Sequence, residues 1–214
     1  MRNRRRARAG FTLIELLVAI SVLAVVAVLG WRGLDGIVRA RVALTNDLEQ
    51  TRGMQLAFAQ LQSDCARIAN TADIAGRPPL VAEQGRLTLV RSVFAENQPS
   101  RVQVVAYRLA DGVLMRRETV ATRDLKELES LWQAVSNDTD RNQPVALQAG
   151  VTAISIRTWA NDNAGWRVAG APAGATPNPV NPAAGVAMLQ GLEVSLQLSG
   201  RTSNLVKIFL LGAV

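Results

Sequence analysis

A run of twenty residues near the N-terminus constrains this chain most, because it is almost entirely apolar. It extends from Phe11 to Gly30 and contains one charged residue, Glu15. As a helix rising about 1.5 Å per residue it spans about 30 Å, the hydrocarbon thickness of a bilayer. A secretory signal peptide has a shorter apolar region that ends at a small-x-small cleavage site, whereas this run continues into Trp31 and Arg32. We therefore expect a membrane anchor that stays attached to the protein.

The charges on the two sides of the anchor predict its orientation. The residues before it include five arginines and no acid: Arg2, Arg4, Arg5, Arg6 and Arg8. The residues after it include Arg32, Arg39 and Arg41, with Asp35 among them. Because positive flanks stay in the cytoplasm, we predict a cytoplasmic N-terminus and an exported C-terminal part.

Composition excludes several classes of function. The formal net charge is +7, but without the five N-terminal arginines 19 basic side chains face 17 acidic ones, so we expect no nucleic-acid surface. There is no histidine and one cysteine, Cys65, which excludes a His-ligated metal, a cysteine-built zinc site and an intrachain disulfide. No Gly-x-Ser-x-Gly or glycine-rich phosphate motif occurs. We expect no enzyme, no metal and no cofactor.

A few residues allow a functional and a structural interpretation. Cys65 is favoured as a buried structural thiol over a reactive one, since no histidine or lysine flanks it. The run Asn137 to Asp140 offers calcium-type oxygens but lacks the glycine and distal glutamate of a calcium loop, which favours a solvated turn. Three tryptophans, Trp132, Trp159 and Trp166, could form a ligand platform, and core or interface positions are favoured.

A helical pattern continues beyond the anchor. Apolar residues recur at spacings of three and four in the stripe Met54, Phe58, Leu61, Cys65 and Ile68. A weaker seam lies closer to the anchor: Leu34, Val38, Leu44 and Leu48. We predict one helix from about Thr12 to Asn70, with its first third in the membrane and its last third against a core. Three glycines, Gly30, Gly33 and Gly36, mark a place where it could melt or bend, because each weakens a helix.

From Ala72 onward the pattern alternates with a period of two, which indicates strands. The predicted runs are 85–90, 102–109, 113–120, 151–159, 192–198 and 205–211. Asp111-Gly112 predicts a hairpin between the second and third runs, and the continuous apolar run Leu205 to Leu211 predicts a more central strand. A short helix is expected over Leu125 to Val135, and a proline-rich loop over Ala169 to Gly185. The fold class is α+β: a long N-terminal helix packed on antiparallel sheet, with about seven strands in two sheets.

The residues Gly10-Phe11-Thr-Leu-Ile-Glu15, preceded by a short basic leader, resemble the type IV pilin signature. The resemblance implies that a prepilin peptidase cuts after Gly10, that the new N-terminal Phe11 is methylated, and that Glu15 assists assembly. The new α-ammonium would lie about 6 Å along the helix axis from Glu15. In a bundle of such helices Glu15 of one subunit could neutralise the ammonium of another. The alternative is that Glu15 only reaches the cytoplasmic headgroups.

Within that superfamily the chain looks like the J-type minor pseudopilins of type II secretion. The resemblance rests on Trp31-Arg-Gly-Leu-Asp35, on 107–117, on Gly165-Trp166 and on the closing segments 192–196 and 207–211. It implies the pseudopilin fold and a tip complex with I-type and K-type minor pseudopilins, which helps initiate a periplasmic filament for export of folded proteins. Two alternatives stay open: a minor pilin of a type IV pilus or DNA-uptake pseudopilus, and a membrane-anchored periplasmic binding or enzymatic domain.

These predictions divide the chain into four segments: a cleaved leader (1–10), an anchor in the bacterial inner membrane (11–31), a periplasmic helical stalk (32–70) and a periplasmic β-rich domain (71–214). The stripe at Met54 to Ile68 should be buried on the domain's own sheet. The seam Leu34, Val38, Leu44 and Leu48 has little sheet left to cover it. We therefore expect this seam to contact the helix of a partner subunit.

Overall fold

The computed structural model describes residues 11–140, 142–160, 165–169 and 189–212. In chain order the elements are α1 (Leu13–Ala66), a 3₁₀ helix (Thr71–Ile74), β1 (Leu80–Glu83), β2 (Arg86–Ala95), β3 (Gln98–Ala110), β4 (Val113–Glu118), α2 (Leu125–Ser136), β5 (Val145–Ala149), β6 (Val151–Ala160), β7 (Trp166–Val168), β8 (Leu189–Leu198) and β9 (Leu205–Leu210). The chain divides into two compact units, Met1–Glu49 and Gln50–Val214.

The strands form two antiparallel sheets. Sheet A has the order β1-β2-β3-β4-β5, and sheet B has the order β7-β6-β8-β9. The β3–β4 hairpin turns at Asp111 and Gly112, whose φ angles of 50° and 73° belong to the left-handed region. A two-residue turn with both φ positive matches the twist of the strands that it joins, which is why Asp-Gly predicts it well. The predicted α+β class with two sheets and the predicted hairpin are confirmed.

Helix α1 is continuous through Gly30, Gly33 and Gly36, so the predicted single helix does not melt at these glycines. It ends at Ala66 and not near Asn70. The backbone that follows pairs with β2: the Ala69 N–H donates to the Val90 carbonyl at 2.8 Å, and the Ser92 N–H donates to the Arg67 carbonyl at 2.8 Å. The helix stops because these residues exchange helical hydrogen bonds for sheet-like ones.

The main core of the second unit lies among α1, one face of sheet A and one face of sheet B. Its α1 members are Met54, Ala57, Leu61 and Cys65. Alternate residues of the strands complete it, including Leu87, Leu89, Val105, Tyr107, Leu192, Val194, Leu196 and Leu198. The strict alternation predicted for β8 is confirmed, because its four inward residues are buried.

The middle of sheet A is covered on both of its faces. On the face away from α1, Val90, Val104 and Ala106 pack against α2. The residues of α2 in this second core are Leu128, Trp132 and Val135, on one side of an amphipathic helix. Asp124 caps α2, since its carboxylate accepts the Lys126 N–H at 2.8 Å. The helix predicted over Leu125 to Val135 is thus confirmed to within one residue.

The apolar run Leu205 to Leu211 is not central, and that prediction was wrong. Its strand β9 is at the edge of sheet B. Val206, Ile208 and Leu210 are each more than half exposed. Lys207 lies on the opposite face, where its ammonium donates to Gln62 Oε1 at 3.0 Å. An unbroken apolar run is compatible with burial on two faces or with one uncovered apolar face, and the pattern alone does not distinguish them.

Three strands have no counterpart among the predicted runs: β1, β5 and β7. They have four, five and three residues, which is too short for an alternation to be recognised. Most of the predicted loop at 169–185 lies outside the described residues.

Candidate functional site

The N-terminal motif forms a helix cap. The Thr12 N–H and the Thr12 hydroxyl donate to the same Glu15 carboxylate oxygen, at 3.0 and 2.8 Å. The Glu15 N–H points back to the Thr12 hydroxyl at 3.4 Å. This is a capping box, in which the first and fourth residues satisfy each other's free backbone donors. Gly10 lies outside the described residues, and Phe11 precedes the cap with 85% of its surface exposed.

The apolar part of α1 has the length and composition of a membrane span. An 18-residue window reaches a mean hydropathy of 2.8, and none of it is buried within the protein. Within the described residues, α1 is the one helix that is long and apolar enough to cross a membrane. Large apolar side chains that are exposed on all sides of a helix suit lipid and not water.

The seam Leu34, Val38, Leu44 and Leu48 is exposed, at 57%, 52%, 65% and 70%. With 3.6 residues per turn, the four positions fall within an arc of about 120°. Ile37, which is 68% exposed, lies within the same arc. We call these five residues the stalk face. Ile37 lies three residues after Leu34 and belongs to this face, although it was not among the residues predicted for the seam.

The stripe from Met54 to Ile68, which begins on α1 and ends two residues beyond it, is covered. Met54, Leu61 and Cys65 are buried, and Phe58 and Ile68 pack against the same core while partly exposed. The Phe58 and Phe209 rings lie 6.2 Å apart between centroids, which joins α1 to β9. The expectation that this stripe is buried on the domain's own sheets is confirmed.

The sequence did not predict the role of a charged residue at the contact between α1 and sheet A. Asp64 is fully buried on α1. One carboxylate oxygen accepts from Arg91 Nη1 at 2.7 Å and from Arg116 Nη2 at 3.2 Å. The other accepts from Arg116 Nε at 2.8 Å and from the Tyr107 hydroxyl. Two arginines and a tyrosine of sheet A therefore hold a single carboxylate of the helix.

The two arginines share a second carboxylate at the edge of this cluster. Glu118 accepts from Arg116 at 2.7 Å and from Arg91 at 3.1 Å. Burial, together with the Asp64 charge, raises the pKa of Tyr107 far above its usual value, so the hydroxyl remains a donor. Burial disfavours the charge of Arg116, but its hydrogen bonds to Asp64 prevail and raise its pKa. The cluster is thus a balanced, hydrogen-bonded set of two cations and two anions.

The helix approaches sheet A closely at Gly53. A Cβ built there would lie 2.0 Å from the side-chain oxygen of Gln148 on β5. Gln148 is buried, and its amide donates to the Ala149 carbonyl at 2.7 Å. A side chain at position 53 would therefore require Gln148 to move, whereas Cβ atoms added at Gly30, Gly33 and Gly36 would meet nothing within 4 Å.

Cys65 is a structural thiol, as predicted. It is fully buried next to Asp64. Burial, and to a smaller extent the Asp64 charge, raises the pKa of this thiol to about 12. A thiol with such a pKa is protonated at neutral pH and is a poor nucleophile.

The acidic run Asn137 to Asp140 follows helix α2. Its Asp138 forms ion pairs with arginines. Asp138 accepts from Arg86 at 2.6 Å and from Arg108. Arg117 lies 4.0 Å away. Within the described ranges, no group of three or more acidic, histidine or cysteine residues is arranged to hold a metal.

The three tryptophans do not form one platform. Trp132 is buried on α2, with the Arg77 guanidinium 4.6 Å from its ring centre. Trp159 and Trp166 are cross-strand partners in sheet B, with ring centroids 5.6 Å apart. Trp132 is therefore a core residue between α2 and sheet A, as the favoured interpretation predicted.

Comparisons with known proteins agree with this arrangement. A family model described as the prokaryotic N-terminal methylation motif matches residues 5–31. A second, described as type II secretion system (T2SS), protein J, matches residues 32–211. A curated protein of Escherichia coli named "Type II secretion system protein J" is 28% identical over 127 residues, which are 52% of this chain and 64% of that protein. The match thus spans just under two thirds of the relative's length. The motif and the apolar helix together indicate a single-pass, membrane-anchored protein.

Proposed function

This chain belongs to the type II secretion system protein J family, and from this membership we propose that it is a minor pseudopilin, a structural subunit of type II secretion. The observation that carries the proposal is the family match over residues 32–211, nearly all of the chain beyond the anchor. Its place would be the tip complex of the periplasmic pseudopilus, together with I-type and K-type minor pseudopilins. There it helps initiate the filament that exports folded proteins.

The proposal includes a topology. The anchor lies in the inner membrane, the N-terminus is cytoplasmic before cleavage, and the β-rich domain is periplasmic. Support comes from the arginines before the anchor, which outnumber those immediately after it. A cysteine substituted at exposed Ser203 should react with a membrane-impermeant maleimide in intact spheroplasts, whereas buried Cys65 should not.

Gene deletion tests the proposed function. Removing the gene from its bacterium should stop export of type II substrates, and the full chain supplied in trans should restore it. Export that continues unchanged, with loss of pilus-driven motility or DNA uptake, would assign the protein to a different filament.

Processing by a prepilin peptidase gives the first prediction. Cleavage between Gly10 and Phe11 leaves 204 residues, from Phe11 to Val214, with a methylated N-terminus. Gly10→Val should block it, because a larger side chain crowds the protease's site. Intact mass of the membrane-extracted protein measures both. A mature N-terminus beyond residue 30 would instead indicate an ordinary signal peptidase.

The capping box refines the proposed role of Glu15. Before cleavage its carboxylate is held by Thr12 of the same chain. After cleavage the α-ammonium of Phe11 in a neighbouring subunit becomes a charged partner, and such a pair is stronger in lipid than in water. The proposal therefore assigns to Glu15 both a cap within the helix and an ion pair between helices.

Two substitutions separate these roles. Glu15→Gln retains a capping side chain and removes the charge, so we expect normal insertion and cleavage but weaker crosslinking to other pseudopilins. Thr12→Ala removes the capping partner and retains the charge, so crosslinking should persist. Equal losses for both variants, measured by crosslinking in membranes, would mean that only the cap matters.

The stalk face supplies the proposed contact with partner subunits. Its five apolar residues are more than half exposed, at a position beyond the anchor where water would surround them. Apolar helix faces in water favour a partner helix. We propose that Leu34, Val38, Leu44 and Leu48, with Ile37, pack beside the helices of the other minor pseudopilins.

A further inference from the structure

A recess with a volume of about 250 Å³ lies on the outer face of sheet A, beside the C-terminal end of α2. Three arginines line it, one from each of three neighbouring strands: Arg86 on β2, Arg108 on β3 and Arg117 on β4. Arg86 and Arg108 are cross-strand partners, and Arg117 is paired with Ala106 two residues from Arg108. The strand register thus directs all three side chains to one face. We call this site the arginine recess.

Asp138 occupies part of the arginine recess. Arg86 donates from Nη2 to Asp138 Oδ2 at 2.6 Å and from Nη1 to the Ser136 carbonyl at 2.5 Å. Arg108 donates to the same Asp138 oxygen. Burial opposes the charge of Asp138, but the two arginines prevail and lower its pKa. Asp138 therefore stays ionised and acts as an internal anion.

Arg117 is the least satisfied of the three arginines. Its only ion-pair contact within the described part of the chain is the 4.0 Å approach to Asp138, which is too long for a hydrogen bond. Its side chain is 21% exposed, and that of Arg108 is 50% exposed. The lining carboxylates are Asp138 and Asp111, so three cations face two anions. Within the described ranges, the Arg117 guanidinium has no hydrogen-bond acceptor, and the recess retains a positive charge.

The rest of the lining is apolar. It comprises Ala106, Ala110, Met115, Val135 and Pro144. A free inorganic anion needs only the charge, whereas an apolar wall around arginines suits the carbon atoms that carry a carboxylate. We propose that the arginine recess binds an aspartate or glutamate side chain of a partner protein, with Arg117 and Arg108 as donors and Asp138 as the internal competitor. This contact is separate from the stalk face and does not depend on it.

The experiment uses the full chain in non-ionic detergent micelles and the tripeptide N-acetyl-Ala-Glu-Ala-amide, titrated by calorimetry. The matched peptide with glutamine in place of glutamate should bind at least ten-fold more weakly, because a charged hydrogen bond to arginine is lost. Arg117→Gln should raise the Kd for the glutamate peptide about ten-fold. Arg101→Gln, the same charge change on β3 outside the recess, should change it less than two-fold.

Asp138→Asn tests the competitor. Removing the internal anion should lower the Kd for the glutamate peptide several-fold, a result that a purely structural Asp138 would not produce. If this variant does not fold, as judged by near-ultraviolet circular dichroism, Arg117→Gln still decides, since the one ion pair of Arg117 among the described residues is long. The proposal is overturned if both peptides bind alike, if Arg117→Gln and Arg101→Gln act alike, or if inorganic phosphate binds as tightly as the glutamate peptide.

Discussion

Asp64→Asn should lower the free energy of unfolding of the β-rich domain by about 3–5 kcal/mol. The substitution leaves the Arg91 and Arg116 guanidiniums, both mostly buried, with only Glu118 as a charged partner. Removing one member of a buried ion cluster lowers the free energy of unfolding by more than the intact cluster contributes to it, because the remaining charges stay desolvated. For a unit of this size the melting temperature should fall by about 10 °C. Tryptophan fluorescence of the full chain in micelles measures it, since Trp132, Trp159 and Trp166 all lie in the β-rich unit.

The control is Asp35→Asn on the same helix. Asp35 pairs with Arg39 at 2.7 Å, but both side chains are at least half exposed. Such pairs contribute about 0–1 kcal/mol, so the melting temperature should hardly change. Identical curves for the Asp64 and Asp35 variants would show that the buried cluster does not stabilise the domain.

Joint replacement of Val38 and Leu44 by aspartate should abolish co-purification with the I-type and K-type pseudopilins. These side chains are 52% and 65% exposed, so the isolated chain should keep its melting temperature. In a packed helix pair the two carboxylates would lose water without gaining a partner, which is among the costliest changes in an interface. Pull-down from membranes, with the melting temperature recorded in parallel, gives both results.

Two controls bracket this prediction. Ala43→Asp adds a charge to the opposite side of α1 and should leave co-purification intact. Leu61→Asp places a charge in the core, where Leu61 is 1% exposed, and should unfold the domain. If the Val38 and Leu44 variant still co-purifies, the stalk face is not the principal contact, and the arginine recess becomes the better candidate surface.

Local sequence patterns correctly predicted those elements whose conformation depends on residues close by in sequence. The Asp111-Gly112 turn, the alternation of β8 and the stripe on α1 each depend on neighbours in sequence, and each is present in the structure. Edge or central position depends on which strands assemble alongside, and nothing within Leu205 to Leu211 encodes that. The wrong expectation for β9 therefore reflects a property of the sheet and not of the strand.

The buried cluster shows a different limit. Asp64 lies three residues after Leu61, at the edge of the apolar stripe, but its partners Arg91 and Arg116 lie on separate strands. Only the sheet register brings them to one carboxylate. Gly53 is similar: the side chain that an added Cβ would meet there, Gln148 on β5, is far away in sequence. Among 22 arginines, the sequence alone does not single out the two that are buried with Asp64.

The Phe58–Phe209 contact has a consequence for how the domain is made. The core needs both α1 and β9, which are separated by most of the β-rich unit, so a large loop must close before either is covered. Contacts of such long range slow folding and leave apolar surface open meanwhile. Until Leu205 to Leu210 have emerged from the machinery that makes or exports the chain, β9 cannot form and β8 is an unpaired edge strand. Proteolysis and aggregation are the greatest risk during that interval.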